Sequence, residues 1–136
     1  MTPADYEIWE GKALKDVEHI DSLISTPRNK EASKLWEDLD ALIQWLARSG
    51  ELVADAESIY ESALGATIIE MSTEKKYSFA TSLFRQVAEG KCADILKIYR
   101  RIERQNAALT HAIDAIRSLL SYEKENLRQI SGGAQR

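Results

Sequence analysis

Residues 92–130 read CADILKIYRRIERQNAALTHAIDAIRSLLSYEKENLRQI, and the spacing inside this stretch decides the fold class. Cys92, Tyr99, Asn106, Ile113, Leu120 and Leu127 recur every seventh residue, and Ile95, Ile102, Leu109, Ile116, Glu123 and Ile130 form a second series beside them. Alternating steps of three and four hold both series on one helix face, and an apolar face of that length has to be buried. No Pro or Gly interrupts the stretch, while Ile98, Ala112 and Leu119 widen the seam on one flank. A two-stranded coiled coil needs no such flank. The helix is therefore expected to pack within its own domain and to mediate oligomerisation as well, through Tyr99, Ile102, Asn106, Leu109, Ile113, Ile116 and Leu120.

The rest of the chain reads as helix too. Only two Pro and six Gly occur in 136 residues, which leaves few breakers. Thr2-Pro3-Ala4-Asp5 has the order of a helix start: a capping hydroxyl, Pro at the first helical position and an acid in the first turn. That helix is expected to run to about Ser25. Thr26-Pro27 repeats the device and is expected to open a second helix with a wide stripe of Leu35, Trp36, Leu39, Leu42, Ile43 and Leu46. Arg48 and Gly50 are expected to end it. A third helix follows from Glu51 to Met71, and Ser72-Thr73-Glu74 offers caps for a fourth through Phe79, Leu83, Phe84 and Val87. Short connections favour up-and-down packing. The expectation is an all-α antiparallel helical bundle with a long C-terminal helix, one domain over residues 1–131 and a disordered tail at 132–136.

Length sets a further condition. A helix unbroken from Glu74 to Ser131 would span about 87 Å, whereas a compact chain of this size has a radius of gyration near 14 Å. Either the chain bends near Gly90, or the helix projects and finds a partner.

Composition narrows the function classes. Apolar residues at 44% and charged residues at 29% are the balance of an ordered globular chain. One cysteine, Cys92, rules out an internal disulfide framework and a cysteine-built metal site. The opening MTPADYEIWE is acidic, without a basic start and apolar core, and no apolar run approaches a bilayer span, so a cytoplasmic protein is expected. Two histidines, His19 and His111, leave little for acid–base chemistry. Asp16 and His19 have the spacing of a carboxylate–histidine pair, but a dimetal bundle needs a second pair and facing carboxylates. No phosphate loop, serine elbow or paired-cysteine motif occurs. A non-enzymatic role without cofactor or metal is the expectation.

Charge is divided unevenly. Residues 1–74 carry sixteen acidic and six basic side chains, residues 75–136 six acidic and twelve basic. The two halves can attract each other inside one bundle, or the basic half can meet an anion. Two lines on the long helix carry the second reading. Thr110, Arg117, Ser121 and Lys124, with Asp114, fall three or four apart and could clasp a phosphate or carboxylate between subunits. Lys97, Arg100, Arg101 and Arg104 cluster opposite the seam and could meet nucleic acid, although no aromatic residue interleaves with them. A polar border and a solvated face are the ordinary readings of such lines. Asn106 inside the seam either fixes register with a second copy or bonds to a neighbouring helix. Among Trp9, Trp36 and Trp45, the last lies beside the main stripe and is expected to be partly exposed.

The segment ERQNAALTHAIDAIRSLLSYEKE, residues 103–125, resembles small helical proteins encoded by bacteriophages and prophages. The likeness rests on Glu103-Arg104, the run from Asn106 to His111, Ile113-Asp114, Arg117-Ser118, Ser121 and Lys124, and covers about a sixth of the chain. It implies a helical, non-enzymatic protein of mobile-element origin that antagonises host defence by holding a host protein or a nucleotide signal. The residues themselves support a homo-oligomer that sequesters an anionic, nucleotide-like ligand. A nucleic-acid accessory protein and a purely structural assembly protein are the alternatives.

Overall fold

A computed structural model describes residues 1–74 and 81–134. Four helices follow in order: α1 (Pro3–Ser25), α2 (Ala32–Thr73), α3 (Thr81–Lys91) and α4 (Ala93–Ala134). The all-α expectation holds, with a long C-terminal helix in a helical bundle, and no strand occurs among the described residues. α1 starts as its sequence suggests. The Thr2 hydroxyl accepts from the Asp5 amide at 3.1 Å, and the Asp5 carboxylate takes the Thr2 N–H at 3.2 Å and its hydroxyl at 2.7 Å. The Thr2 hydroxyl, then its backbone N–H, holds the Asp5 carboxyl below its ordinary value. This cap is therefore in place above the ordinary carboxylate range and is lost as pH falls through the lowered value.

Three expected helix boundaries are wrong. Thr26 closes α1 instead of opening α2: its N–H and its hydroxyl both reach the Ser22 carbonyl, at 3.2 and 2.6 Å. Pro27 cannot continue α1, and α2 begins five residues later at Ala32. Arg28 fastens the intervening loop by donating to the Leu23 carbonyl at 2.6 Å and pairing with Asp38 at 3.4 Å.

Nor do Arg48 and Gly50 end a helix. α2 passes through both, so the expected second and third helices are one helix of 42 residues. The reason lies in its buried face. Leu35, Leu39, Leu42, Ser49, Leu52, Ala56, Tyr60, Leu64 and Met71 keep one stripe on both sides of Gly50. Packing along that stripe outweighs the ~1 kcal/mol propensity cost of one Gly. No glycine takes a positive φ among the described residues, and a Cβ at Gly50 would meet nothing within 4 Å. Gly50→Ala is therefore expected to raise stability by about 0.5–1 kcal/mol, read as a higher melting temperature. A lower one would mean that α2 is broken there.

Ser72 and Thr73 are also not caps of a following helix. They lie in the last turn of α2, with hydroxyls on the Ile69 and Glu70 carbonyls at 2.8 Å each. The expected start of the next helix, Phe79 included, lies outside the described residues.

Ser49 meets Asn106 and Thr67 meets Cys92, so α2 and α4 run antiparallel. The length condition is met in a third way. Cys92 alone separates α3 from α4, and its backbone still bonds Ala88 and Leu96 at 3.0 Å each. α3 packs chiefly on the last part of α2. The long helix neither folds back nor projects alone, because α2, about 63 Å long, lies beside it. α4 also carries on to Ala134, into the tail expected to be disordered; residues 135–136 lie outside the described set.

α1 lies on one flank of the α2–α4 pair. Ala13 and Val17 pack with Leu52, Ala56 and Ile102, and Ile20 packs with Leu35, Leu39, Leu42, Leu109, Ile113 and Ile116. The seam residues Ile102, Leu109, Ile113 and Ile116, expected to meet a second copy, are thus buried inside the chain. Cover runs out further along: Leu120 is half-buried, and Leu127 and Ile130 are bare.

Candidate functional site

Three polar features stand out on this frame. The first is an internal layer. Ser49 is fully buried, and its hydroxyl accepts from the Asn106 amide at 3.1 Å. One residue earlier on α4, Gln105 donates to the Val17 carbonyl at 2.6 Å and to Asp21 at 2.8 Å, and Arg101 holds the other Asp21 oxygen at 3.4 Å. Asn106 therefore bonds to a neighbouring helix of its own chain. Asn106→Leu would strip a buried hydroxyl of its partner, a cost of about 1–3 kcal/mol that new apolar burial offsets only in part. A net loss of about 1 kcal/mol is expected, with Ser49→Ala in the same chain restoring it. Thermal melts of the two single variants and the double variant measure the coupling. A stabilising single Asn106→Leu would place Asn106 elsewhere.

The second feature is the α4 outer face. Lys97, Arg100, Arg101 and Arg104 come together there over Ala93 and Leu96. Arg101 is tied to Asp21, but among the described residues no carboxylate lies within 4.0 Å of Lys97, Arg100 or Arg104. The charge division of the sequence is thus only partly neutralised across helices.

The third is an open groove of about 720 Å³ between the start of α2 and the end of α4. Ala32, Trp36, Leu39 and Ile43 form one wall; Arg117, Leu120, Ser121, Glu123, Lys124 and Leu127 form the other. It opens on the flank of α4 that carries Arg117 and Lys124, away from Gln105, which faces α1. Three of the four residues expected to clasp an anion, Arg117, Ser121 and Lys124, meet in this groove. Thr110 does not line it; its hydroxyl bonds back to the Asn106 carbonyl at 3.1 Å. Arg117 is held only loosely, by Asp114 at 3.8 Å with both side chains well exposed.

The opposite wall was not anticipated as a site. Trp45, expected to be partly exposed, is half-buried with its ring centroid 4.5 Å from that of His19, but Trp36 is more open, at 61% exposed. Ile43 and Leu127 are also open. A signal for this wall was present in the width of the α2 stripe. Leu35, Leu39 and Leu42 face the core, while Trp36 and Ile43 sit one step around the helix, beyond the reach of its neighbours.

Among the described residues no group of three His, Cys, Asp or Glu side chains is placed to hold a metal ion, and no helix is long and apolar enough to cross a membrane. Comparison with protein-family models, curated proteins and solved structures finds no match to this chain.

Proposed function

We propose that this chain is a non-enzymatic binding protein that sequesters an anionic small ligand of the nucleotide class, or a host factor, in the groove between α2 and α4. One observation carries the reading: an exposed indole, Trp36, shares a groove with Arg117, Lys124 and Ser121. A flat aromatic body can stack on the indole and the apolar wall. Guanidinium, ammonium and hydroxyl donors can take the oxygens of a phosphate. Titration with a nucleotide panel, followed by tryptophan fluorescence, tests it directly. Quenching that saturates, and that disappears in Trp36→Phe, is expected. No signal up to millimolar nucleotide removes the reading.

A second reading is favoured by the exposed cations on the outer face of α4, of which Lys97, Arg100 and Arg104 have no carboxylate within 4.0 Å among the described residues. There Lys97, Arg100, Arg101 and Arg104 would meet a nucleic-acid backbone. Salt separates the two. Backbone binding weakens steeply as counterions are released, with a log–log slope of about 0.9 per phosphate on duplex DNA, while a groove holding one small anion responds mildly.

A further inference from the structure

The apolar groove has rims of opposite sign. On α4 the wall is net positive, with Arg117 and Lys124 against one acid, Glu123. On α2 the rim is Asp40, which stands one turn from both Trp36 and Ile43, with Glu37 next to Trp36. Asp40 is exposed, and among the described residues no cation lies within 4.0 Å of it. The two rims are also level along the helices. From the Ser49–Asn106 contact, nine residues back along α2 reach Asp40, and nine onward along antiparallel α4 reach Ala115, about half a turn from Arg117.

From this layout we infer that a second copy of the chain occupies the groove, related by a two-fold axis running along it. Such an axis keeps every residue at its own level and exchanges the two walls. α2 of each copy then lies over α4 of the other, antiparallel to it, and Asp40 of one copy faces Arg117 of its partner. The alternative two-fold, across the groove, would stack α4 on α4 and cation on cation. The charge layout selects the first.

Area sets the strength. Trp36, Ile43 and Leu127 leave on the order of 350 Å² of apolar surface open in each copy. Even with the aliphatic stems of Arg117 and Lys124 added, the interface stays below the ~1,200 Å² at which stable assemblies begin. The dimer is a weak one. It is also not the assembly expected from the seam, whose middle residues are spent inside the chain. The pairing does not rest on the ligand reading, since it needs no ligand. If the ligand reading holds as well, nucleotide and second copy exclude each other, and added nucleotide lowers the dimer fraction.

Sedimentation of the nucleotide-free protein, from about 5 to 200 µM in low salt, tests the pairing, together with Arg117→Asp, Asp40→Arg and the variant carrying both. The parent chain is expected to dimerise over this range, each single reversal to weaken the dimer at least tenfold, and the double reversal to restore it. Both positions are exposed on helices, and far-ultraviolet circular dichroism confirms that each variant is folded. A parent that stays monomeric at 200 µM overturns the inference. So does a double variant no stronger than the singles, because the two side chains would then not face each other.

Discussion

Leu109→Ala is expected to cost about 2–5 kcal/mol of folding stability, the largest effect of any single substitution considered for this chain. Leu109 is fully buried in a cluster drawn from three helices: Ile20 from α1, Leu35, Leu39 and Leu42 from α2, and Ile113 and Ile116 from its own helix. Deleting its isopropyl group removes the transfer free energy of three carbons and leaves a cavity where long, mutually braced helices have little freedom to close in. For a chain of this size the melting temperature should fall by on the order of 10 °C. Leu127→Ala is the informative control. Leu127 lies on the same helix face in the heptad pattern, but it is 64% exposed. Its loss should stay within about 0.5 kcal/mol in dilute protein. Equal losses at the two positions would mean that the whole seam is covered, and the open groove would not exist.

Arg117→Ala is expected to weaken binding of a nucleotide by about 1.5–3 kcal/mol, the worth of a charged hydrogen bond, which is roughly a 10- to 150-fold rise in dissociation constant. Arg117 faces Trp36 across the groove and is otherwise engaged only by Asp114 at 3.8 Å, so little has to be broken to redirect it to a ligand. Arg100→Ala removes the same charge from the outer face of the same helix, where Arg100 lines a different surface. Long-range attraction is screened within about 10 Å at ordinary salt, so Arg100→Ala should leave nucleotide affinity nearly unchanged. Calorimetry at protein concentrations below the dimer range compares the two. If Arg100→Ala proves the more damaging, the ligand sits on the basic outer face of α4 and the groove assignment is lost.

Much of the scaffold follows from residue order alone. The heptad seam of residues 92–130, the Thr2–Asp5 capping box and the scarcity of breakers are local facts. A helical period shows which residues share a face whatever that face meets. Arg117, Ser121 and Lys124 were legible as one line for the same reason. Thr110 belongs to that line by spacing, but it lies about two turns short of Arg117, where the α4 wall of the groove begins, and bonds back to Asn106.

What covers each face was decided only by the tertiary structure. Gly50 looks like a helix end until α4 offers a continuous surface to both halves of α2, and burial of the stripe from Leu42 to Ala56 then outweighs the local preference to stop. Thr26-Pro27 looks like a start until the Thr26 hydroxyl is spent on Ser22. Asn106 looks like a device for register between copies until Ser49, 57 positions away, supplies its acceptor. The groove shows the same dependence most clearly. Periodicity gives Leu109 and Leu127 equal standing. α1 lies along one flank of the α2–α4 pair, so Leu109 is enclosed by three helices while Leu127, beside Trp36, is left open to a ligand or a second copy. Burial is a property of neighbours distant in sequence, and the local spacing of a helix carries no record of them.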